Sequence, residues 1–123
     1  MPSHRFCRTQ RVRRKAEFQR VFDSGLRVPS RYFTLLVANG PGRVSRLGIV
    51  ASRKLGDAVR RNRAKRLIRE VFRVNQPLQG GAGLDLVIIP RRELLNAPLG
   101  EIEKDFRGAW RRAVAKLAAS DVR

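Results

Sequence analysis

Residues 52–73 read "SRKLGDAVRRNRAKRLIREVFR". Nine arginines and lysines stand here against Asp57 and Glu70 alone, yet apolar residues recur every three or four positions. Side chains stepped by about 100° from Ala58 to Val74 place Ala64, Leu67, Ile68, Val71 and Phe72 on one narrow face. That spacing predicts a helix packed on a sheet, with Asp57 as its N-cap. Asn62, Lys65, Arg66, Arg69 and Arg73 share the opposite face. Arg60, Arg61 and Arg63 crowd the first turns, where the helix dipole favours carboxylates instead. A merely solvated face mixes signs, whereas this one repeats like charges, each close pair costing up to about 0.5 kcal/mol. Glu70 can pair with Arg66 or Arg73 but leaves the stripe positive. Arginine's planar fork suits bidentate contacts to phosphate, so phosphate binding relieves the self-repulsion.

On either side of this helix the chain reads as short elements punctuated by "NGPGR" at 39–43 and "QPLQGGAG" at 76–83. In "KAEFQRVFDSG", Phe18, Val21 and Phe22 fall at i, i+3 and i+4, and Gly25 is placed to end a short helix. "RYFTLLVAN" alternates Phe33, Leu35 and Val37 with Tyr32, Thr34 and Leu36, the spacing of a strand buried on much of both faces. "SRLGIVAS" at 45–52 reads as a second strand, and the Gly-Pro-Gly turn between the two predicts an antiparallel hairpin. "DLVIIP" at 85–90 is a third strand. From Pro98 onward Leu99, Ile102, Phe106, Trp110, Ala113 and Leu117 mark an amphipathic C-terminal helix. The order helix, strands, helix, strand, helix is that of an α+β or α/β layer arrangement.

At 123 residues, 42% of them hydrophobic, the chain suits one domain. A net charge of +18 works against compaction and is tolerable when a polyanion supplies the counter-charge. A membrane surface is the competing polyanion, but "FTLLVA" and "LVIIP" fall far short of the roughly 20 apolar residues of a spanning helix. The basic N-terminus precedes no apolar run of the signal-peptide kind, and residues 1–12 read as a flexible basic arm on a cytoplasmic protein. Cys7 and His4 are single, which excludes disulfides and Cys/His zinc sites within one chain.

"RNRAKRLIRE", preceded by "GIVASRKLGDAV" and "KAEFQRVFDSG", closely resembles the signature of the protein subunit of bacterial ribonuclease P, from about Arg11 to Leu117. The resemblance implies a three-layer α/β sandwich in the order α-β-β-(β)-α-β-α with a left-handed βαβ crossover. It implies a partner, a large catalytic RNA, and a ribonucleoprotein that removes the 5′ leader of precursor tRNA. The RNA subunit would hold the catalytic magnesium, with no cofactor assignable to protein ligands and no obligate protein partner. Carried over by position, Arg61, Asn62, Arg63, Lys65, Arg66 and Arg69, with the neighbouring Arg60, would face the catalytic RNA. Ser52, Arg53 and Lys54 would do so from the basic end of the preceding strand. Phe18 and Phe22 would line the cleft for the single-stranded leader, although one helix stripe can also seal the core. Tyr32 would offer a base a stacking surface. Leu36 stands where some members carry an aromatic ring and implies an apolar wall instead, and Pro90 is a second departure.

A protein nuclease needs a general base or a carboxylate cluster. The carboxylates beyond the first helix, Asp57, Glu70, Asp85, Glu93, Glu101, Glu103 and Asp105, form no metal-ligand pattern, and Glu101, Glu103 and Asp105 read as acids near a helix N-terminus. The competing function is a structural ribosomal or nucleoid protein. A basic helix beside an aromatic, partly apolar strand face suits one structured RNA plus a single strand better than duplex coating.

Overall fold

The structure is a computed structural model describing residues 11–12, 15–40, 45–75 and 83–121. In chain order the elements are α1 (Lys15–Ser24), β1 (Leu26–Pro29), β2 (Phe33–Asn39), β3 (Arg46–Ile49), a 3-10 turn (Arg53–Leu55), α2 (Ala58–Val74), β4 (Leu84–Pro90), a second 3-10 turn (Arg92–Asn96) and α3 (Leu99–Asp121). Helix α2 has the bounds its periodicity predicts. Asp57 caps it, its carboxylate accepting the Arg60 N–H at 3.0 Å. Ala64, Ile68, Val71 and Phe72 are buried, and Leu67 packs against the same cluster.

The four strands run in the order β1-β2-β4-β3. β2 lies antiparallel to β1 and to β4, whereas β3 pairs with β4 in parallel. The expected β2–β3 hairpin does not form, because β4 lies between those strands. Burial explains the arrangement: β4 has one partly exposed residue, Ile89, and a strand apolar on both faces belongs in the centre of a sheet. Chain geometry allows it, since α2 supplies the long crossover that parallel strands need. The other side of β2 is taken by β1, a four-residue strand that the sequence reading passed over and that fills the bracketed place in the order.

The alternation along β2 builds two cores. Phe33, Leu35 and Val37 join Leu47, Leu86 and Ile88 beneath α2 and α3, including Ile68, Phe72, Ile102, Phe106 and Trp110. Leu36 and Ala38 join Val87 and Val21 beneath α1, with Phe18, Val50 and Ile89 packed at the margin. The layers are therefore α1, sheet, and α2 with α3. The C-terminal stripe is buried as its spacing predicts from Ile102 to Ala113, while Leu99 is exposed.

Tyr32 departs from the strand reading. The Asp105 carboxylate accepts the backbone N–H groups of Tyr32, at 2.9 Å, and Arg31, at 3.3 Å, so the chain bends before β2 begins. The Tyr32 ring then packs in the α2–α3 core at 6% exposure, with the Arg31 guanidinium 5.1 Å from its centroid. Asp105 thus ties the β1–β2 turn to α3 rather than serving as an acid of the helix's first turn.

A buried ionic cluster fastens α1 to the sheet. The Asp85 side chain, fully buried on β4, accepts from Arg46 Nε at 2.8 Å and Nη2 at 2.7 Å, and pairs with Arg20 of α1. Arg46 Nη1 reaches Glu17 Oε2 at 2.7 Å, and Arg20 Nη1 donates to the Asn39 carbonyl at 2.7 Å. The two carboxylates raise the pKa of the Arg46 guanidinium above its ordinary value, the Asp85 hydrogen bond most strongly.

Candidate nucleic-acid interface

The exposed rim of α2 carries Asn62, Arg63, Arg66 and Arg69. Arg60 is also exposed, and Arg61 and Lys65 are half-buried. Glu70 is taken by Arg73, with Arg73 Nη2 to Oε2 at 2.5 Å and Nε to Oε1 at 3.1 Å, which lowers the Glu70 pKa and raises that of Arg73. Among the described residues, the remaining α2 cations have no carboxylate within ion-pair distance. Arg61 Nε is buried without a hydrogen-bond partner among the described residues, beside a notch of about 210 Å³ lined by Ala51, Ala58, Asn62 and Lys65. A buried donor left unmade is costly, and an acceptor entering that notch would satisfy it.

β3 ends at Ile49, so Ser52, Arg53 and Lys54 lie beyond it, on and before the first 3-10 turn. All three are exposed, while Leu55 plugs the core and holds the turn.

Across β3 from α2 stands α1. An open groove of about 310 Å³ runs between them, walled by Phe18 on one side and by Lys65 and Arg69 on the other, with Leu47, Gly48 and Ile49 as its floor. Gly48 permits this closeness: a Cβ there would stand 2.7 Å from Phe18 Cε1 and Cζ. Arg11 and Val12 close the end of the groove. The Val12 N–H donates to the Leu47 carbonyl at 2.9 Å, laying this segment along the free edge of β3. Val12 is 5% exposed and so is docked, while the rest of the expected arm, residues 1–10, lies outside the described residues. Burial, followed by the Arg11 charge, lowers the Arg69 pKa from its ordinary value.

The structure therefore unites Phe18 with Lys65 and Arg69 and separates the other leader candidates from them. Phe22, 42% exposed on α1, does not line this groove. Leu36 is buried beneath α1, and Tyr32 lies in the other core. The sequence reading missed Gly48 as the seat of the ring, Arg11 as a wall, and the Asp85 cluster that holds α1 in place. A glycine in a strand is itself a signal of close approach, and it was available.

A positively charged helix beside a groove with an aromatic wall on an α/β sheet defines an RNA-binding protein by class. The family model described as Ribonuclease P matches residues 6–114, and the chain belongs to that family. The ribonuclease P protein component of Desulfatibacillum aliphaticivorans is 45% identical over 76 residues, 62% of this chain and 64% of that protein. The protein of the same name from Thermotoga maritima is 42% identical over 89 residues, 72% of this chain and 75% of its own. The solved structure of the RNase P protein from Thermotoga maritima superposes with a TM-score of 0.75 at 34% identity, covering 83% of this chain and 96% of that one.

Proposed function

We propose that this chain is the RNA-binding subunit of a cytoplasmic ribonuclease P, the endoribonuclease that removes the 5′ leader of precursor tRNA. The catalytic RNA carries the chemistry, and the protein binds that RNA and the leader as a single domain. Among the described residues no three His, Cys, Asp or Glu side chains converge to hold a metal, so no step is routed through a protein-held ion, and the magnesium is assigned to the RNA. Arg60, Arg61, Asn62, Arg63, Lys65, Arg66 and Arg69 face the catalytic RNA, with Ser52, Arg53 and Lys54 extending that surface.

The observation that carries the leader assignment is the Phe18 ring seated on Gly48 in a groove with Lys65 and Arg69 opposite. Aromatic stacking joined to a positively charged wall is the chemistry of sequence-tolerant single-strand binding. Phe22 extends the apolar surface of α1. Leu36 acts from beneath, supporting α1, and Tyr32 can contribute only through packing at its end of β2. Lys65 and Arg69 stand where both RNA contacts meet.

The test compares precursor and mature tRNA, which differ by the leader, on the assembled ribonucleoprotein. Phe18→Ala is expected to weaken precursor binding by roughly 1–3 kcal/mol and leave mature tRNA unchanged. Equal losses for the two ligands in a folded variant would return the ring to a purely structural role.

A further inference from the structure

On the flank of α2 that faces away from the Phe18 groove, a second cavity of about 500 Å³ opens between the first turns of α2 and the 3-10 turn after β4. Arg60 and Arg63 line one side, Arg92 and Asn96 the other, and Leu55 and Leu95 complete the lining. Three guanidiniums from two separate elements thus converge, and among the described residues none of them has a carboxylate within ion-pair distance. Such a cluster repels itself until an anion enters.

The walls are held in place. Gly56 has φ 125°, and a Cβ on it would meet Arg60 Cδ at 2.7 Å, so the absent side chain gives the Arg60 stem its path across the turn. Asp57 caps the helix directly above. The opposite wall is pinned by fully buried Leu94 and by the Arg91 N–H, which donates to the Tyr32 carbonyl at 2.9 Å. A 3-10 turn repeats every three residues or so, which brings Arg92 and Leu95 onto one edge facing the cavity. Guanidiniums around an apolar floor with one amide suit a nucleotide, whose phosphate takes the cations while its sugar or base covers the leucines. The volume falls within the roughly 300–1,000 Å³ of pockets that hold small organic groups.

We propose that this cavity is a second RNA site, taking a phosphodiester and its nucleotide from the catalytic RNA. The proposal rests on the reading of the chain as a ribonuclease P subunit and adds Arg92 and Asn96 to the interface. The catalytic RNA is the occupant because a leader strand in the Phe18 groove would have to cross the width of α2, about 10 Å, to reach it. RNA held on both flanks of the helix embraces α2 instead of lying on one face of it.

The experiment measures binding of Arg92→Ala and Arg92→Glu to catalytic RNA without tRNA, across a salt titration, with Arg66→Ala on the outer rim as the reference. Arg92 is exposed, and circular dichroism checks that both variants fold. Arg92→Ala is expected to reduce the slope of log affinity against log salt by about 0.7–0.9. Arg92→Glu is expected to weaken binding at least about tenfold near 0.1 M salt, where exposed charges are incompletely screened. Wild-type affinity and slope for both Arg92 variants, with Arg66→Ala weakened, overturns the second site and leaves the arginine helix standing. If Arg66→Ala is also unchanged, the reading beneath the proposal fails with it. A loss confined to precursor tRNA binding by the preassembled complex overturns the assignment to the catalytic RNA.

Discussion

At Asp85 a carboxylate is withdrawn from water entirely, in a chain whose charge of +18 leaves few acids to spare. A buried charge is tolerated when partners surround it, and the two arginines supply them. Asp85→Asn leaves Arg46 without its principal acceptor, so we expect a loss of about 3–5 kcal/mol, read as a lower denaturation midpoint in urea. Set against total stabilities of about 5–15 kcal/mol, that is a large share. A loss below about 1 kcal/mol would show that water can replace the carboxylate, as at surface pairs. Nothing in the local sequence marked this residue, since Asp85 reads simply as the polar start of a strand. Its role depends on Arg46, Arg20 and Glu17 arriving from two other elements.

Helix α2 shows how far an element can be read from its own residues. Its period, its Asp57 cap and its apolar face depend on neighbours within four positions, and all were legible. Strand pairing depends on residues far apart in the chain, which is why the β2–β3 hairpin was expected and β4 was found between the two. Tyr32 was misplaced for a similar reason: its bend is set by Asp105, 73 residues away. The division of α2 into faces makes its own prediction. Replacing Arg61, Arg63 and Arg66 together by alanine should weaken assembly with the catalytic RNA at least tenfold, given roughly 1.5–3 kcal/mol for each charged hydrogen bond lost. Helical content should be retained, because Ile68, Val71 and Phe72 hold the helix to the sheet. Circular dichroism and a binding titration check the two halves separately, and collapse of the helical signal would show the faces to be misassigned.

For the whole molecule, the expectation is that protein stripped of RNA leaves precursor tRNA intact in magnesium, while adding it to catalytic RNA raises cleavage at low salt. Gel analysis of the 5′ leader decides it, and cleavage that survives nuclease treatment of the protein would relocate the chemistry to its carboxylates. The strand order bears on biosynthesis as well. β4 is hydrogen-bonded on both sides, and it leaves the ribosome only after α2. Until residue 84 emerges, β2 presents an open edge, although six of its seven residues end up buried. Exposed apolar edges of this kind pair with other unfinished chains. The arginines of α2 emerge during that interval and make neighbouring nascent chains repel one another. The charge that later holds RNA thus protects the chain on the polysome before its last strand is made.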